Sequence, residues 1–312
     1  MATQTLVQAK LRISNQIVSG VVEDIITTNP IMSVMPTTGY AGQAILVNRE
    51  ATLGDAQHLA IGGTITAKAA STVIQTPYTA ITTIGDAEMN GLVQAQSLSG
   101  GVDQMMAEVS SKAKSVGRKW QEGMASGDGS ANQFHSYHTL TDASQYTSAS
   151  AGQALSFELL DELLDLVKAK DGEVDYLLMN GVQLRKYRTL VRALGGVNET
   201  IAFDMGNGRS RNIDVYNNIP LFQNDYITSV ETANGAALSG GALTSIYAGC
   251  FDDGSNKIGQ SLIHPEGIPA GIMVTDVGEA ENKDEKITRV KSYNNFVNFN
   301  RRGLARLTSL TA

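Results

Sequence analysis

The chain has 312 residues with 24 Lys and Arg against 31 Asp and Glu, a formal net charge of −7. At roughly 150 residues per domain this is one large domain or two to three lobes, with ample chain for a core. Charged residues are 18% of the total, below the ~25% usual for soluble domains, while Gly, at 31 of 312, exceeds the usual ~7%. That balance excludes a disordered chain, a collagen or a coiled coil, and points to a β-rich fold whose surface is partly covered by partners. No run nears the ~18 apolar residues of a transmembrane helix, so no membrane partner is expected. Met1 to Lys10 lacks the apolar stretch of a signal peptide. A single cysteine, Cys250, rules out an intrachain disulfide or a multi-cysteine metal site and fits folding in a reducing compartment. The mild acidity argues against a dedicated reader of nucleic acid.

In chain order, residues 1–43 begin with Leu6, Ile13, Ile17, Val21, Val22, Ile25 and Ile26 at near-helical spacing. Asn29-Pro30 stops that pattern, and Met32 to Gly42 reads as extended chain. Residues 44–85 change period. Ala44–Val47, Ile61–Ala67 and Val73–Ile84 are strand-like, with turn signals at Gly54-Asp55 and Gly62-Gly63, and together predict a long β-hairpin. It has too few large apolar residues to bury both faces on its own body, so a neighbour is implied. Gly39, Gly42, Gly62, Gly63 and Gly85 are candidate hinges.

Residues 86–127 switch to helix. Val102, Met105, Met106, Val109, Ala113, Val116, Trp120 and Met124 form one stripe, which Lys112, Lys114, Arg118 and Lys119 avoid. Trp120 is expected to pack beneath this helix. Residues 131–154 read as loop. Ser156 caps a helix with a leucine stripe from Leu155 to Val167, ended by Gly172. Val174–Met179 is a buried strand, and Asn180 caps a helix to about Ala193. Strands are predicted at Ile213–Tyr216, Pro220–Phe222, Ser245–Phe251, Ile258–Ile263, Ile272–Val277, Ile287–Tyr293, Phe296–Phe299 and Leu304–Leu310, with a charged hairpin loop over Glu279–Lys286.

Chemical motifs are weak throughout. His135 and His138 lack the i, i+4 spacing of a helical zinc site and read as solvated or locally bonded loop histidines. Asp252-Asp253-Gly254-Ser255-Asn256 lacks the alternate acids and distal Glu of a calcium loop and reads as a turn. Gly206-Asn207-Gly208 and Gly240-Gly241 lack the order of a phosphate loop. Cys250 reads as a small buried hydrophobe. No catalytic residue, cofactor or metal is expected, and the chain is read as a non-enzyme. A β-rich hydrolase would need a pocket of convergent titratable groups, which the sequence does not offer.

The order of these pieces carries more than any motif. A short arm, a long hairpin, a long helix ending at Gly127-Asp128-Gly129-Ser130, a mixed lobe and closing strands resemble the major capsid protein of tailed bacteriophages, the Johnson fold shared with encapsulin shells. Asp175-Tyr176-Leu177-Leu178-Met179-Asn180 leading into Leu184-Arg185 is similar to that family's strand-to-helix step. Tyr216-Asn217-Asn218-Ile219-Pro220-Leu221 resembles its Gly-Ile-Pro-Ile strand, with Asn218 in place of the glycine. Gly303-Leu304-Ala305-Arg306-Leu307 resembles its C-terminal strand. The resemblance implies an α+β fold with an N-arm (1–43), an extended loop (44–85), a peripheral domain with the long spine helix (86–140 and 262–300) and an axial domain (141–261 and 301–312). It implies self-association into hexamers and pentamers of an icosahedral virion shell around packaged double-stranded DNA, assembled in a host cytoplasm. Portal, scaffold or decoration proteins would be further partners. The alternative within the same fold is an encapsulin-like compartment. On this reading Ile13, Ile17, Val21, Ile25, Ile65, Lys68, Val73 and Ile74 lie at assembly interfaces, the arm being covered by a neighbour. Lys112, Lys114, Arg118 and Lys119 would face DNA. Some relatives join a hairpin lysine to an asparagine of a neighbour. Here Lys68 lies on the hairpin and Asn294, Asn295, Asn298 and Asn300 near the terminal strands, but Lys68 has only small neighbours and no acid in the sequence can be assigned as the base, so no cross-link is expected.

Overall fold

The computed structural model describes residues 31–99, 103–130, 132–169, 172–196, 199–204, 210–268 and 271–311. In chain order the elements are α1 (Ile31–Val34), β1 (Thr37–Tyr40), β2 (Ile45–Thr52), β3 (Thr72–Tyr78), β4 (Ile81–Asn90), α2 (Gly91–Ser99), α3 (Gln104–Ser126), α4 (Tyr137–Leu140) and β5 (Tyr146–Gln153). Then follow α5 (Phe157–Lys168), β6 (Tyr176–Met179), α6 (Gly181–Ala193), β7 (Thr200–Asp204), β8 (Ser210–Tyr216), β9 (Ile219–Gln223), β10 (Leu243–Gly249), β11 (Gln260–Pro265), β12 (Ile272–Glu279), β13 (Glu285–Asn298) and β14 (Leu304–Thr311).

The three long helices start where a short polar side chain can take up an orphan amide. Asp103 accepts from the Met106 amide, Ser156 from Leu159 and Asn180 from Gln183. The apolar stripe of α5, Leu159, Leu160, Leu163, Leu164 and Val167, is buried against one face of a seven-stranded sheet ordered β5-β14-β10-β6-β9-β8-β7. Strand alternation then sorts the sheet residues. Leu177, Met179, Ile246, Ala248, Ala305 and Leu307 pack on the α5 side. Tyr176, Leu178, Tyr247 and Leu304 point the other way, into a cluster with Trp120, Met124, Tyr137, Phe222 and Phe296. The central strands are therefore covered on both faces: β6 is buried throughout and β14 at every residue but the last.

A second sheet is ordered β1-β11-β13-β12, with β4 also paired to β13. The first part of β13 runs between β4 and β12, and its last four residues pair with β11. Register along β4 is fixed by an ion pair between directly opposed residues. Arg289 grips Asp86 through two hydrogen bonds of 2.7 and 2.8 Å, a bidentate geometry stronger than a single contact. The hydrogen bond from Arg289 holds the Asp86 carboxyl below the usual carboxylate range. The cluster around Trp120 also takes in Val290 and Phe296 of β13, so α3 bridges the two sheets.

Several sequence expectations are corrected by tertiary pairing. Met32 opens within a single helical turn, α1, rather than in extended chain. Val73–Ile84 is two strands, not one. The chain turns a corner at Thr79-Ala80, where Asn295 donates to the Thr79 carbonyl at 2.7 Å and the Ala80 amide donates to the Tyr40 hydroxyl at 3.0 Å. Residues 86–90 belong to β4, and the expected helix is two, α2 and α3. Ile61–Ala67 forms no strand, because no partner strand lies beside it. Residues 131–154, expected as loop, hold α4 and β5. The small, polar β5 has weak strand propensity, and its order comes from parallel pairing with buried β14. Ile287–Tyr293 and Phe296–Phe299 merge into β13. Gly85 sits in the β4–β13 ladder opposite Val290 and is no hinge.

Trp120 is 9% exposed and sits where α3 meets the shared cluster. Trp120→Ala is expected to destabilise the fold by about 3–5 kcal/mol. Urea unfolding followed by far-UV circular dichroism checks this, and an unchanged midpoint would contradict it.

Candidate assembly surfaces

Among the described residues, the hairpin is anchored at its root and exposed beyond it. β2 and β3 pair antiparallel from Ile45–Tyr78 out to Thr52–Thr72. At the root, Tyr40, Val47 and Tyr78 pack with Ile263, Val297 and Phe299. Arg49 clamps the same point: its Nε donates to the Phe299 carbonyl at 3.1 Å, and its Nη2 donates to the Tyr78 hydroxyl at 2.9 Å and to the Asn298 carbonyl. Beyond Thr52 the tip is organised by one side chain. The Gln57 Oε1 accepts from the Thr66 and Ala67 amides at 2.9 and 2.8 Å, while its Nε2 donates to the Thr64 carbonyl.

Of the interface residues expected from sequence, Ile65, Val73 and Ile74 are 58, 64 and 52% exposed, and Lys68 is exposed beside them. Leu46, Leu53, Leu59 and Ile61 share this exposure and were not singled out by pattern. So many large apolar side chains in water, on the ribbon and its tip, are more than a hairpin alone can bury. Ile13, Ile17, Val21 and Ile25 lie outside the described residues.

A second apolar surface was missed. β12 is the outer strand of its sheet, with Ile272, Met273, Val274 and Val277 exposed. The strand was legible, but its place at the edge depends on a pairing order that the sequence does not carry. The four cations of α3 spread around the helix. Lys114 and Lys119 are exposed, Lys112 and Arg118 half-buried, and Lys119 pairs with Glu122 at 2.9 Å.

Sequence reading also missed a buried charge. Arg306 and Glu231 have side chains 1 and 3% exposed and pair at 2.9 Å. Ser245 Oγ accepts from Arg306 Nε at 3.0 Å and donates to Glu231 Oε2 at 2.5 Å. Tyr146 and Tyr247 lend ring faces to the guanidinium at 5.8 and 5.6 Å. Gly235, at φ +61, lies against it, and a side chain there would strike the guanidinium. The available signal was Arg306, the one charged residue of Leu304–Leu310. Its partner, 75 residues away, has no local mark.

The histidines are not solvated loop residues. His135 is half-buried, edge-on to Tyr78 at 5.4 Å between ring centres, and burial lowers its pKa. His138, on α4, places Nδ1 against Arg306 Nη1. Burial, with the adjacent guanidinium, pushes it down to about 4. Asp252 and Asp253 accept from the amides of Gly254, Ser255 and Asn256, the bonds of a turn. Cys250 is buried and its thiol is pushed up to about 12 by burial. Among the described residues no cluster of His, Cys, Asp or Glu is arranged to hold a metal, and no helix is long and apolar enough to cross a membrane. The unfolded chain protonates His138 near pH 6.5 and the folded chain only near 4. The stability this imidazole supports is therefore full above 6.5 and lost as pH falls through 4. Thermal melts over that range should fall less steeply for His138→Gln than for the parent; identical slopes would contradict the assignment.

No protein-family model matches the chain, and no curated protein matches it in sequence. Solved structures do match over its full length. The SrpI encapsulin of Synechococcus elongatus superposes with a TM-score of 0.74 at 15% identity, covering 100% of this chain and 97% of that one. The capsid of Cyanophage A-1(L) gives 0.69 at 10% identity, covering 96 and 97%. The capsid of the native GTA particle gives 0.65 at 12%, covering 96% of each. At these identities the likeness is one of fold, and the fold is the one that the sequence order resembled: this chain has the Johnson fold of tailed-phage capsids and encapsulins.

Proposed function

We propose that this chain is a structural shell subunit with no catalytic turnover, which self-associates into a closed icosahedral container. The observation that carries the reading is the hairpin: an apolar, exposed ribbon that, among the described residues, is anchored at its root, in a chain whose whole length shares a fold with shell proteins. Burial of the ribbon on neighbouring copies, repeated by symmetry, sums many weak contacts into a stable shell.

Within this reading residues 86–140 and 262–300 form the peripheral domain, and 141–261 with 301–312 form the axial domain around which hexamers and pentamers close. The seven-stranded sheet fits the axial role, since all its strands fall in those ranges. The content we favour is packaged double-stranded DNA, with portal, scaffold or decoration proteins as separate chains. Lys112, Lys114, Arg118 and Lys119, on α3, are the positions we propose for non-specific, salt-sensitive attraction to phosphate. The second reading, a compartment for a protein cargo, is favoured by the likeness to SrpI. Genes for a terminase and portal, or for a cargo enzyme, beside this one would separate the two.

Electron microscopy of the purified protein tests the proposal: closed shells are expected. Ile65→Asp with Ile74→Asp should abolish or reduce them while leaving the melting temperature of the free subunit within about 2 °C, since exposed substitutions change stability by only about 0.5 kcal/mol. Normal shells from the double variant would contradict the hairpin's role. No covalent joining of subunits is expected. Asn294, Asn295 and Asn298 are buried in their own subunit, and Asn300 caps the turn at Arg302. Mature particles should run on a denaturing gel as one band near 33.1 kDa, and a ladder abolished by Lys68→Ala would overturn this.

A further inference from the structure

In a chain of net charge −7, α6 carries Arg185, Lys186, Arg188 and Arg192 and no acid. α5 is its opposite, with Glu158, Asp161, Glu162 and Asp165 against one cation, Lys168, in its last turn. Both helices lie on the same face of the seven-stranded sheet: Leu184 and Tyr187 of α6 join the cluster that buries the leucine stripe of α5.

Hydrogen bonds fix which way each helix turns its charge. α5 lies over β5, β14 and β10, at one end of the sheet. Glu162 accepts from the Thr147 hydroxyl of the edge strand β5 at 3.3 Å. Glu158, Glu162 and Asp165, at i, i+4 and i+7, share one exposed face. α6 lies over β9, toward the other end. Lys186 points back to β14, donating to the Thr311 carbonyl at 2.7 Å. Arg188 points the other way, pairing at 2.7 Å with Asp214 of β8. Arg185 and Arg192, three residues before it and four after, share its face and are exposed. Among the described residues no acid pairs with Arg185 or Arg192, and no cation pairs with Glu158, Glu162 or Asp165. One body thus carries an unanswered negative helix face at one end of the sheet and an unanswered positive one toward the other. Complementary patches so placed fit a head-to-tail contact between copies, the kind that generates a ring when its rotation closes.

We propose that the exposed arginine face of α6 docks on the acidic face of α5 of a second copy, head to tail. The contact rests on the shell reading for its place, the ring of copies around the axial domain, and names the surfaces that meet there. Electrostatic complementarity of this kind fixes partner and orientation more than it adds affinity, which suits a contact that must repeat in one register. It is screened by salt.

The test is charge reversal in the full chain, read by sedimentation velocity and electron microscopy at low salt. Glu162→Lys with Asp165→Lys, and separately Arg185→Glu with Arg192→Glu, should each cut the assembled fraction about tenfold, as surface pairs turn from attraction to repulsion. Assembly should return when all four substitutions share one chain, or when the two variants, whose reversed faces complement each other, are mixed. Recovery in neither case would overturn the proposal. So would loss on arginine reversal alone, the result if a nucleic acid covers α6, or a charge-dependent species no larger than a dimer. Parent shells indifferent to both reversals would overturn this contact and leave the shell reading standing. Charge-dependent open rings that never close into shells would overturn the shell reading and leave the contact standing. A parent that stays monomeric at every salt concentration would overturn both.

Discussion

The structure depends on one layer of buried aromatic and aliphatic side chains. Trp120 and Met124 from α3, Tyr137 from α4, Tyr176, Phe222 and Tyr247 from the seven-stranded sheet and Phe296 from β13 meet there. Tyr137 lies 4.7 Å from Phe296 and 5.5 Å from Tyr247, ring centre to ring centre, within the range where aromatic pairs attract beyond their buried area. Two sheets and the long helix share this layer, so neither sheet can shift without opening it. The close approach is visible at Gly249, where any side chain would collide with the Tyr176 hydroxyl and the Gln260 amide.

Polar groups tied into that layer set its alignment. The Arg306–Glu231 pair is fully enclosed, and such pairs gain little net stability because desolvation offsets most of the attraction. Their effect is directional. Arg306 on β14 reaches the loop before β10 through Glu231, β10 through Ser245 and α4 through His138. Displacement of any one would strand a buried charge, which costs far more than the intact pair gains. The same logic places Asn295, whose amide holds the Thr79 carbonyl and whose carbonyl takes the His135 amide. It joins the hairpin's exit, the chain after α3 and β13 at one point.

What the sequence made legible follows from how locally each feature is determined. α5 announced itself through a leucine stripe, a Ser156 cap and Gly172, whose amide closes on the Val167 carbonyl at 3.2 Å. α3 and α6 were legible for the same local reasons. β5 was not, because Tyr146–Gln153 has no apolar alternation and owes its order to β14, more than 150 residues away. The break between β3 and β4 was hidden likewise: Tyr40 and Asn295, which pin it, are far from it in sequence. Of the candidate surface residues, Ile65, Val73 and Ile74 were found because a hairpin too poor in large side chains to form a core must show those it has.

An exposed apolar ribbon invites pairing with any other strand, and the hairpin's details work against this. β3 carries Pro77 opposite Leu46; a proline offers no amide, so a strand adding on that edge loses a ladder bond there. From Leu53 to Ser71 there is no strand at all, and Gln57 occupies the Thr66 and Ala67 amides that an intruding chain would use. Lys68 stands exposed on the same stretch, a charge that would have to be buried by a face-to-face copy of itself. The side chains of the ribbon are thus open to a partner while much of its backbone is not. A partner for this surface would have to fit the apolar side chains and accommodate the lysine, a more selective demand than strand addition.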